Sequence, residues 1–186
     1  NYAEARAQLE QSLELARARG DLAGQAHALN NLGNLAYRQN IHAEAERYYQ
    51  RSLEAYTELG DRIGVASVLN GLGNSAMLRR SFESAQGYFA QSLAIRRALN
   101  DRWGVAGSLV NIGWLAHLQH DYPAARASYE ESLALYRAIG DQRGMAIALV
   151  NLGFTAWELG DFATSAEVLH EALQLAIGIG AIPLAL

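Results

Sequence analysis

Ala5, Leu9, Leu13 and Ala16 step through the first twenty residues at spacings of four, four and three. Such a stripe belongs to a helix buried along one face. Gly20-Asp21 then ends that helix and starts the next. Glycine at the C′ position takes the left-handed conformation, and aspartate caps the free N–H groups of the helix that follows. The same punctuation returns as Gly60-Asp61, Asn100-Asp101 and Gly140-Asp141. A second set of starts falls near Asn40, Ser81, Asp121 and Asp161, all good N-cap residues, and Pro123 lies just inside its helix, where its missing N–H does no harm. This pattern predicts helices over 1–20, 22–39, 41–59, 62–79, 82–99, 102–119, 122–139, 142–159 and 162–177, each of about 18 residues and therefore about 27 Å long. Residues 181–186 align with the start of another.

The stripes are copies of one another. Leu29-Asn30-Asn31-Leu32-Gly33-Asn34 returns as Leu69 to Asn74, as Leu109 to Trp114 and as Leu149 to Phe154, 40 residues apart each time. Gly24, Gly64, Gly104 and Gly144 keep the same step, as do Asp21, Asp61, Asp101 and Asp141. Leu13, Leu53, Leu93, Leu133 and Leu173 form another column. Tyr49, Phe89 and Tyr129, then Leu169, form an aromatic column, and Ala45, Ala85 and Ala125, then Ser165, a small one. A fixed period of this length means a solenoid or array. Gly33, Gly73, Gly113 and Gly153 sit mid-helix, where glycine costs about 1 kcal/mol relative to alanine. Their recurrence predicts close helix–helix approach, backbone against backbone.

A Leu-Gly pair in the first helix, followed by an alanine and an aromatic in the second, resembles the tetratricopeptide repeat over essentially the whole chain. The 40-residue step is similar to the long-loop variety found in kinesin light chains, Leu-Gly-Asn-type polarity adaptors and bacterial regulators with C-terminal repeat arrays. The family's terminal proline is absent, and Ser52, Ser92 and Ser132 replace an alanine. The resemblance implies an all-α, right-handed superhelical solenoid of antiparallel helix pairs. It is read as a single array over 1–186, with a truncated repeat's second helix at 1–20, full repeats at 21–60, 61–100, 101–140 and 141–180, and the start of a further repeat at 181–186.

Composition narrows the function. With 51% hydrophobic residues the chain has enough to bury a continuous core. Cysteine is absent, which removes disulfides, thiolate metal sites and a cysteine nucleophile. The formal net charge of −4 argues against a nucleic-acid partner. No apolar run is long enough to span a bilayer, so no membrane partner is expected. The chain starts at Asn1 and stops at Leu186, both inside expected helices, and is read as a piece of a longer, cytoplasmic protein.

Candidate binding residues come from the outward faces of the first helix of each pair, because the resemblance places those helices on the concave surface. In the first repeat His27, Asn30, Asn34 and Tyr37 follow spacings of three, four and three, and so share a face, with Arg38 beside them. The matching sets are Ser67, Asn70, Asn74 and Met77, then Gly107, Val110, Trp114 and His117, then Ile147, Val150, Phe154 and Trp157. Of thirteen glutamates only Glu158 falls on a first helix, while Arg38, Arg79 and Arg80 lie in their later turns. An asparagine amide grips a peptide unit through both its C=O and its N–H. Asn30, Asn34, Asn70 and Asn74 are therefore read as a ladder for an extended backbone, the alternative being that they pair with each other between helices. Asn31, Asn111 and Asn151 are assigned to structure. Trp114, Phe154 and Trp157 are either a pocket for an anchor side chain or packing against the following repeat.

Catalytic and metal chemistry find no footing. His117, His120 and Asp121 have a ligand-like spacing, but there is no fourth ligand and His120 falls at a turn, so no metal site is assigned. Adjacent Glu130 and Glu131 point in different directions from their helix. Arg79-Arg80 and Arg96-Arg97 suit the helix dipole at C-termini. No phosphate loop, nucleophile elbow or zinc motif is present, and no cofactor is implied. The leading reading is a protein- or peptide-binding scaffold whose groove takes an extended, neutral to mildly acidic segment with one bulky apolar residue. Alternatives are a regulatory sensor array of a larger signalling ATPase or transcriptional regulator, and an oligomerisation module. The apolar surface of Leu173, Leu175, Ala176, Ile177, Ile179, Ile182, Leu184 and Leu186 is expected to be covered by self-association or by a further repeat.

Overall fold

The computed structural model of the protein describes residues 1–180, so the reading of 181–186 as a further repeat, including Ile182, Leu184 and Leu186, lies outside the described residues. The helices run in order: α1 (Tyr2–Ala18), α2 (Leu22–Arg38), α3 (His42–Leu59), α4 (Arg62–Leu78), α5 (Phe82–Ala98), α6 (Arg102–Leu118), α7 (Tyr122–Ile139), α8 (Gln142–Glu158) and α9 (Phe162–Gly178). Among the described residues the fold is all-α, and neighbouring helices pack as pairs. The chain forms two compact units, Asn1–Ile95 and Arg96 onward, and each is described by itself.

One turn is used throughout. Gly20, Asn40, Gly60, Arg80, Asn100, His120, Gly140, Gly160 and Gly180 all have positive φ, between 55° at Asn100 and 78° at Gly140. At Gly20 its N–H reaches the Arg17 carbonyl and the Asp21 N–H reaches the Ala16 carbonyl, the paired bonds of a Schellman motif, and the pattern repeats at the later turns. Asn40 is therefore not an N-cap. It supplies the left-handed residue at φ 59°, and the N-cap position of α3 is Ile41, with no side-chain bond. Asparagine is among the few residues that enter this region at modest cost. The capping aspartates behave as read: Asp21, Asp61, Asp101 and Asp141 each accept from the N–H three residues on, at 2.9 to 3.0 Å.

The mid-helix glycines are explained by side chains rather than by backbone meeting backbone. A Cβ at Gly33 would lie 2.6 Å from the Tyr49 ring, one at Gly113 2.6 Å from the Tyr129 ring, and one at Gly153 2.5 Å from Leu169 Cγ, while Gly73 meets the Phe89 ring in the same way. The glycine and aromatic columns are thus the two halves of one contact. The other glycine column is equally filled: Tyr56 lies on Gly64 and Tyr136 on Gly144. At the corresponding place on Gly104 the chain uses Arg96, only 6% exposed, whose Nη1 pairs with Asp101 Oδ2 at 2.6 Å. Arg96 is therefore a core residue with a carboxylate partner, not a free cation at a helix end. Arg97 bonds Glu131 at 2.7 Å.

The serines that replace the family's alanine tie the pairs together. Ser52, Ser92 and Ser132, all buried, donate to the Ala26, Ala66 and Ala106 carbonyls of the preceding helix at 2.8, 2.7 and 2.9 Å. In the last repeat Ser165 donates to the Gly153 carbonyl at 2.9 Å. Leu133 is buried, but its counterpart Leu173 on α9 is 47% exposed, as is Ile179 in part.

Two predictions follow from these contacts. Alanine has the higher helix propensity by about 1 kcal/mol, yet Gly113→Ala should destabilise the protein by about 1–3 kcal/mol in urea or guanidinium unfolding, because the methyl group displaces the Tyr129 ring. A stability equal to or above that of the unsubstituted chain would show that the ring yields freely. The second concerns acid. Asp141 lies below the ordinary aspartate range chiefly because its carboxylate accepts from the Gly144 N–H, with the Trp103 indole adding a bond at 2.9 Å. A depressed folded-state pKa stabilises above the unfolded value of about 3.9 and is lost as pH falls through the folded value. Asp141→Ala should therefore cost about 1 kcal/mol near neutrality. The difference from the unsubstituted chain should shrink as thermal melts are taken down through and below the ordinary aspartate pKa.

Candidate binding surface on the first helices

In the unit Asn1–Ile95, α2 carries the first predicted set. His27 is exposed, and its Nδ1 shares a 2.8 Å hydrogen bond with the Tyr56 hydroxyl, the rings meeting edge-on. Asn30 is half-buried and Asn34 exposed. Asn34 Oδ1 accepts from the Tyr49 hydroxyl at 2.8 Å, so part of this amide already serves the core. Tyr37 is half-buried against that core, and burial pushes its phenol pKa up. Arg38 is exposed and, with Asn34, Asn31, Leu35, Gln8 and Leu9, lines an open hollow of about 480 Å³ between α1 and α2. On α4, Asn70 and Asn74 are half-buried. Among the described residues Asn30 and Asn74 make no side-chain hydrogen bond.

One expectation for this unit needs correction. Met77 is buried, at 7% exposure, and is not on the binding face. Its neighbours Ser75 and Ala76 are buried with it in the last turn of α4. Arg79 pairs with Glu46 of α3.

In the unit that begins at Arg96, α6 and α8 carry the aromatic set. Trp114 and Phe154 are exposed, and with His117, Leu118, Tyr129, Val150 and Asn151 they line a cavity of about 400 Å³. Val110 is half-buried and packs on the core beneath. His117 faces Thr155 Oγ1 across 3.3 Å through Nδ1 and meets the Tyr122 ring edge-on. Trp157 does not join the cavity. It is 61% exposed and stacks edge-on against Phe162, at 4.9 Å between centroids, because its place near the end of α8 overhangs the start of α9. The alternatives for the three aromatics therefore divide: Trp114 and Phe154 line a pocket, and Trp157 packs on the next helix.

Three lining residues were absent from the sequence reading. Leu118 lies at the helix end. Asn151, assigned to structure, donates from Nδ2 to the Ile147 carbonyl of its own helix at 3.0 Å while also lining the cavity. Tyr129 was placed in the core by its column, and it is 2% exposed. The available signal was Trp114, which stands where Asn34 supplies the acceptor for the equivalent Tyr49. Burial pushes the Tyr129 phenol pKa far above its ordinary value, so the hydroxyl stays a hydrogen-bond donor. No carboxylate or guanidinium lines the cavity. His120 bonds Tyr122, and among the described residues no group of three or more His, Cys, Asp or Glu is placed to hold a metal ion. Nor is any described helix long and apolar enough to cross a membrane.

Residues 1–58 and 64–138 match the sequence profile of the tetratricopeptide repeat, and the chain belongs to that family, whose members typically act in protein–protein interaction. No curated protein matches the chain significantly. Among solved structures, BtubC (BKLC) from P. vanneervenii is 22% identical with a TM-score of 0.81, covering 98% of this chain and 76% of its own. A Rap protein complexed with Competence and Sporulation Factor is 15% identical with a TM-score of 0.79, over 95% of this chain and 51% of its own. A Signal Transduction ATPase with Numerous Domains protein with a tetratricopeptide repeat sensor, from Pyrococcus horikoshii, is 18% identical with a TM-score of 0.76, over 97% of this chain and 29% of its own. At these identities the likeness is one of fold.

Proposed function

We propose that the chain is a protein- or peptide-binding scaffold without catalytic chemistry of its own, and that the cavity between Trp114 and Phe154 receives a bulky apolar residue of an extended partner. The observation that supports this most directly is the exposure of two large aromatic side chains around a cavity with no charged lining. A buried aromatic anchor in such a pocket is the usual energetic centre of an interface. The partner segment is neutral or mildly acidic, since a lysine would find no carboxylate there. Asn30, Asn34, Asn70 and Asn74 supply backbone grips in the unit Asn1–Ile95. Arg38 and the exposed His27 stand beside them, and Tyr37 lies at the edge.

A second reading is a regulatory sensor array in a larger signalling protein. It draws on two similar structures, one a protein with a tetratricopeptide repeat sensor and one a complex with a factor. The same cavity would then read an effector, and a nucleotide-binding or DNA-binding domain elsewhere in the native protein would favour it. Self-association through the exposed Leu173 face is a separate element, read by light scattering over a concentration series.

Selection from a random peptide display library tests the leading reading. Enriched sequences should carry one bulky apolar residue and few lysines. Trp114→Ala with Phe154→Ala should weaken them at least about tenfold, since hot-spot aromatics carry about 2 kcal/mol or more, with little change in Tm because both side chains are exposed. Asn30→Ala with Asn74→Ala probes the amide face. Asn34 is left intact there because its loss would strand the Tyr49 hydroxyl, at a cost of about 1–3 kcal/mol in stability. Undiminished binding by the aromatic double variant would refute the pocket.

A further inference from the structure

Resting on that reading of the cavity, we infer that the Tyr129 hydroxyl is its polar anchor and that the occupant is an uncharged aromatic amide: a bulky side chain of a peptide together with the peptide unit that carries it.

The argument begins with an unpaired group. Tyr129 is 2% exposed, and among the described residues its hydroxyl has no hydrogen-bond partner. The ring is buried, the hydroxyl is not sealed off from solvent, and Tyr129 lines the cavity. The same chain shows what a completed version looks like. Tyr49 occupies the equivalent place, donates to Asn34 Oδ1 at 2.8 Å, and is closed over by Gly71, where a Cβ would lie 2.6 Å from the ring. In the later repeats Trp114 replaces Asn34 and Asn151 replaces Gly71. The internal acceptor is gone, and the side chain that replaces glycine lines a cavity with the tyrosine.

Asn151 supplies the complement. Its Nδ2 is used on the Ile147 carbonyl, which leaves Oδ1 as an acceptor. The polar groups of the lining include a donor, Tyr129 Oη, and an acceptor, Asn151 Oδ1, with His117 beside them, and the carbonyl and N–H of an amide match the first two. Trp114 and Phe154 supply apolar walls for the side chain. A charged ligand would be desolvated there without a partner. The volume of about 400 Å³ has room for a side chain and its peptide unit.

The test uses small probes followed by NMR titration at millimolar concentration: N-acetyl-phenylalaninamide, propylbenzene, zwitterionic phenylalanine, and a five-residue peptide with one central phenylalanine among alanines. The amide should bind at least about tenfold more tightly than the zwitterion, and the peptide more tightly than the single amide. Tyr129→Phe should weaken the amide about three- to tenfold, the size of one hydrogen bond. It should leave propylbenzene binding and Tm unchanged, since Phe89 stands in the same column. Tyr49→Phe, which breaks an existing bond, should alter stability and not probe affinity. A lower Tm for Tyr129→Phe with normal amide binding would make the hydroxyl a structural group and overturn the inference. Equal affinity for the amide and propylbenzene would overturn it while Trp114→Ala still weakens both and the pocket stands. Equal affinity for the single amide and the peptide would overturn the peptide assignment. If no probe binds and Trp114→Ala changes nothing, the pocket fails and this inference with it.

Discussion

An aromatic ring of the second helix lying on the bare backbone of the first is the contact on which each repeat depends. Glycine inside a helix costs about 1 kcal/mol. Full burial of a large apolar side chain returns about 1.5–3 kcal/mol, so the exchange favours the fold. Tyr49 on Gly33, Phe89 on Gly73 and Tyr129 on Gly113 repeat the same exchange, with Leu169 on Gly153 closing the series. The ring sets how near the two helices come. That approach is what brings Ser52, Ser92 and Ser132, each three residues beyond its ring, within reach of a carbonyl on the facing helix. The serine bonds and the second glycine column are consequences of the first contact, not independent braces.

Because the frame is repeated, differences between repeats show where it has been put to other uses. Tyr56 and Tyr136 fill the space beside Gly64 and Gly144, while Arg96 fills it beside Gly104 and pairs there with the partly buried Asp101. Burying a guanidinium is tolerable there only because a carboxylate goes with it. The Tyr49 and Tyr129 sites diverge in the opposite sense. One has its hydroxyl satisfied and its ring enclosed; the other has lost the acceptor and gained a cavity. The changes from 34 to 114 and from 71 to 151 remove the tyrosine's acceptor and its glycine cover, and the neighbouring lining positions change with them.

The fold was legible because a 40-residue period imposes the same glycine, aromatic and capping positions four times, and each has a direct physical meaning. Helix bounds came within two residues of those observed. The site was less legible, for reasons that particular residues illustrate. Asn40 is both a good N-cap and a good left-handed residue, and composition alone does not choose between them. Met77 and Trp157 share a register position, yet one is buried and the other is 61% exposed, set edge-on against Phe162. Arg96 looked like a dipole-neutralising cation because its partner, Asp101, is in the next helix's cap. Tyr129 was hidden by its own regularity: a column buried at Tyr49, Phe89 and Tyr129 alike gave no cue that one copy also lines a cavity. The cue lay in the column beside it, where the asparagine becomes tryptophan.

A repeat array tolerates such divergence for a thermodynamic reason. Its stability is close to a sum of repeat and nearest-neighbour terms, so an unpaired hydroxyl or an exposed tryptophan weakens one interface without propagating. In a single closed core, an exposed indole at Trp114 and an unsatisfied phenol at Tyr129 would tax the whole domain, whose net stability is typically only about 5–15 kcal/mol. Here the first helices are held by their inward stripes: Ala106 and Leu109 on α6, and Ala148, Leu149 and Leu152 on α8. Their outward positions are released from packing duty. Those positions are free to vary without cost to the core, and a residue there that still reaches into the core, as Asn34 does through Tyr49, is one whose substitution will report on stability as well.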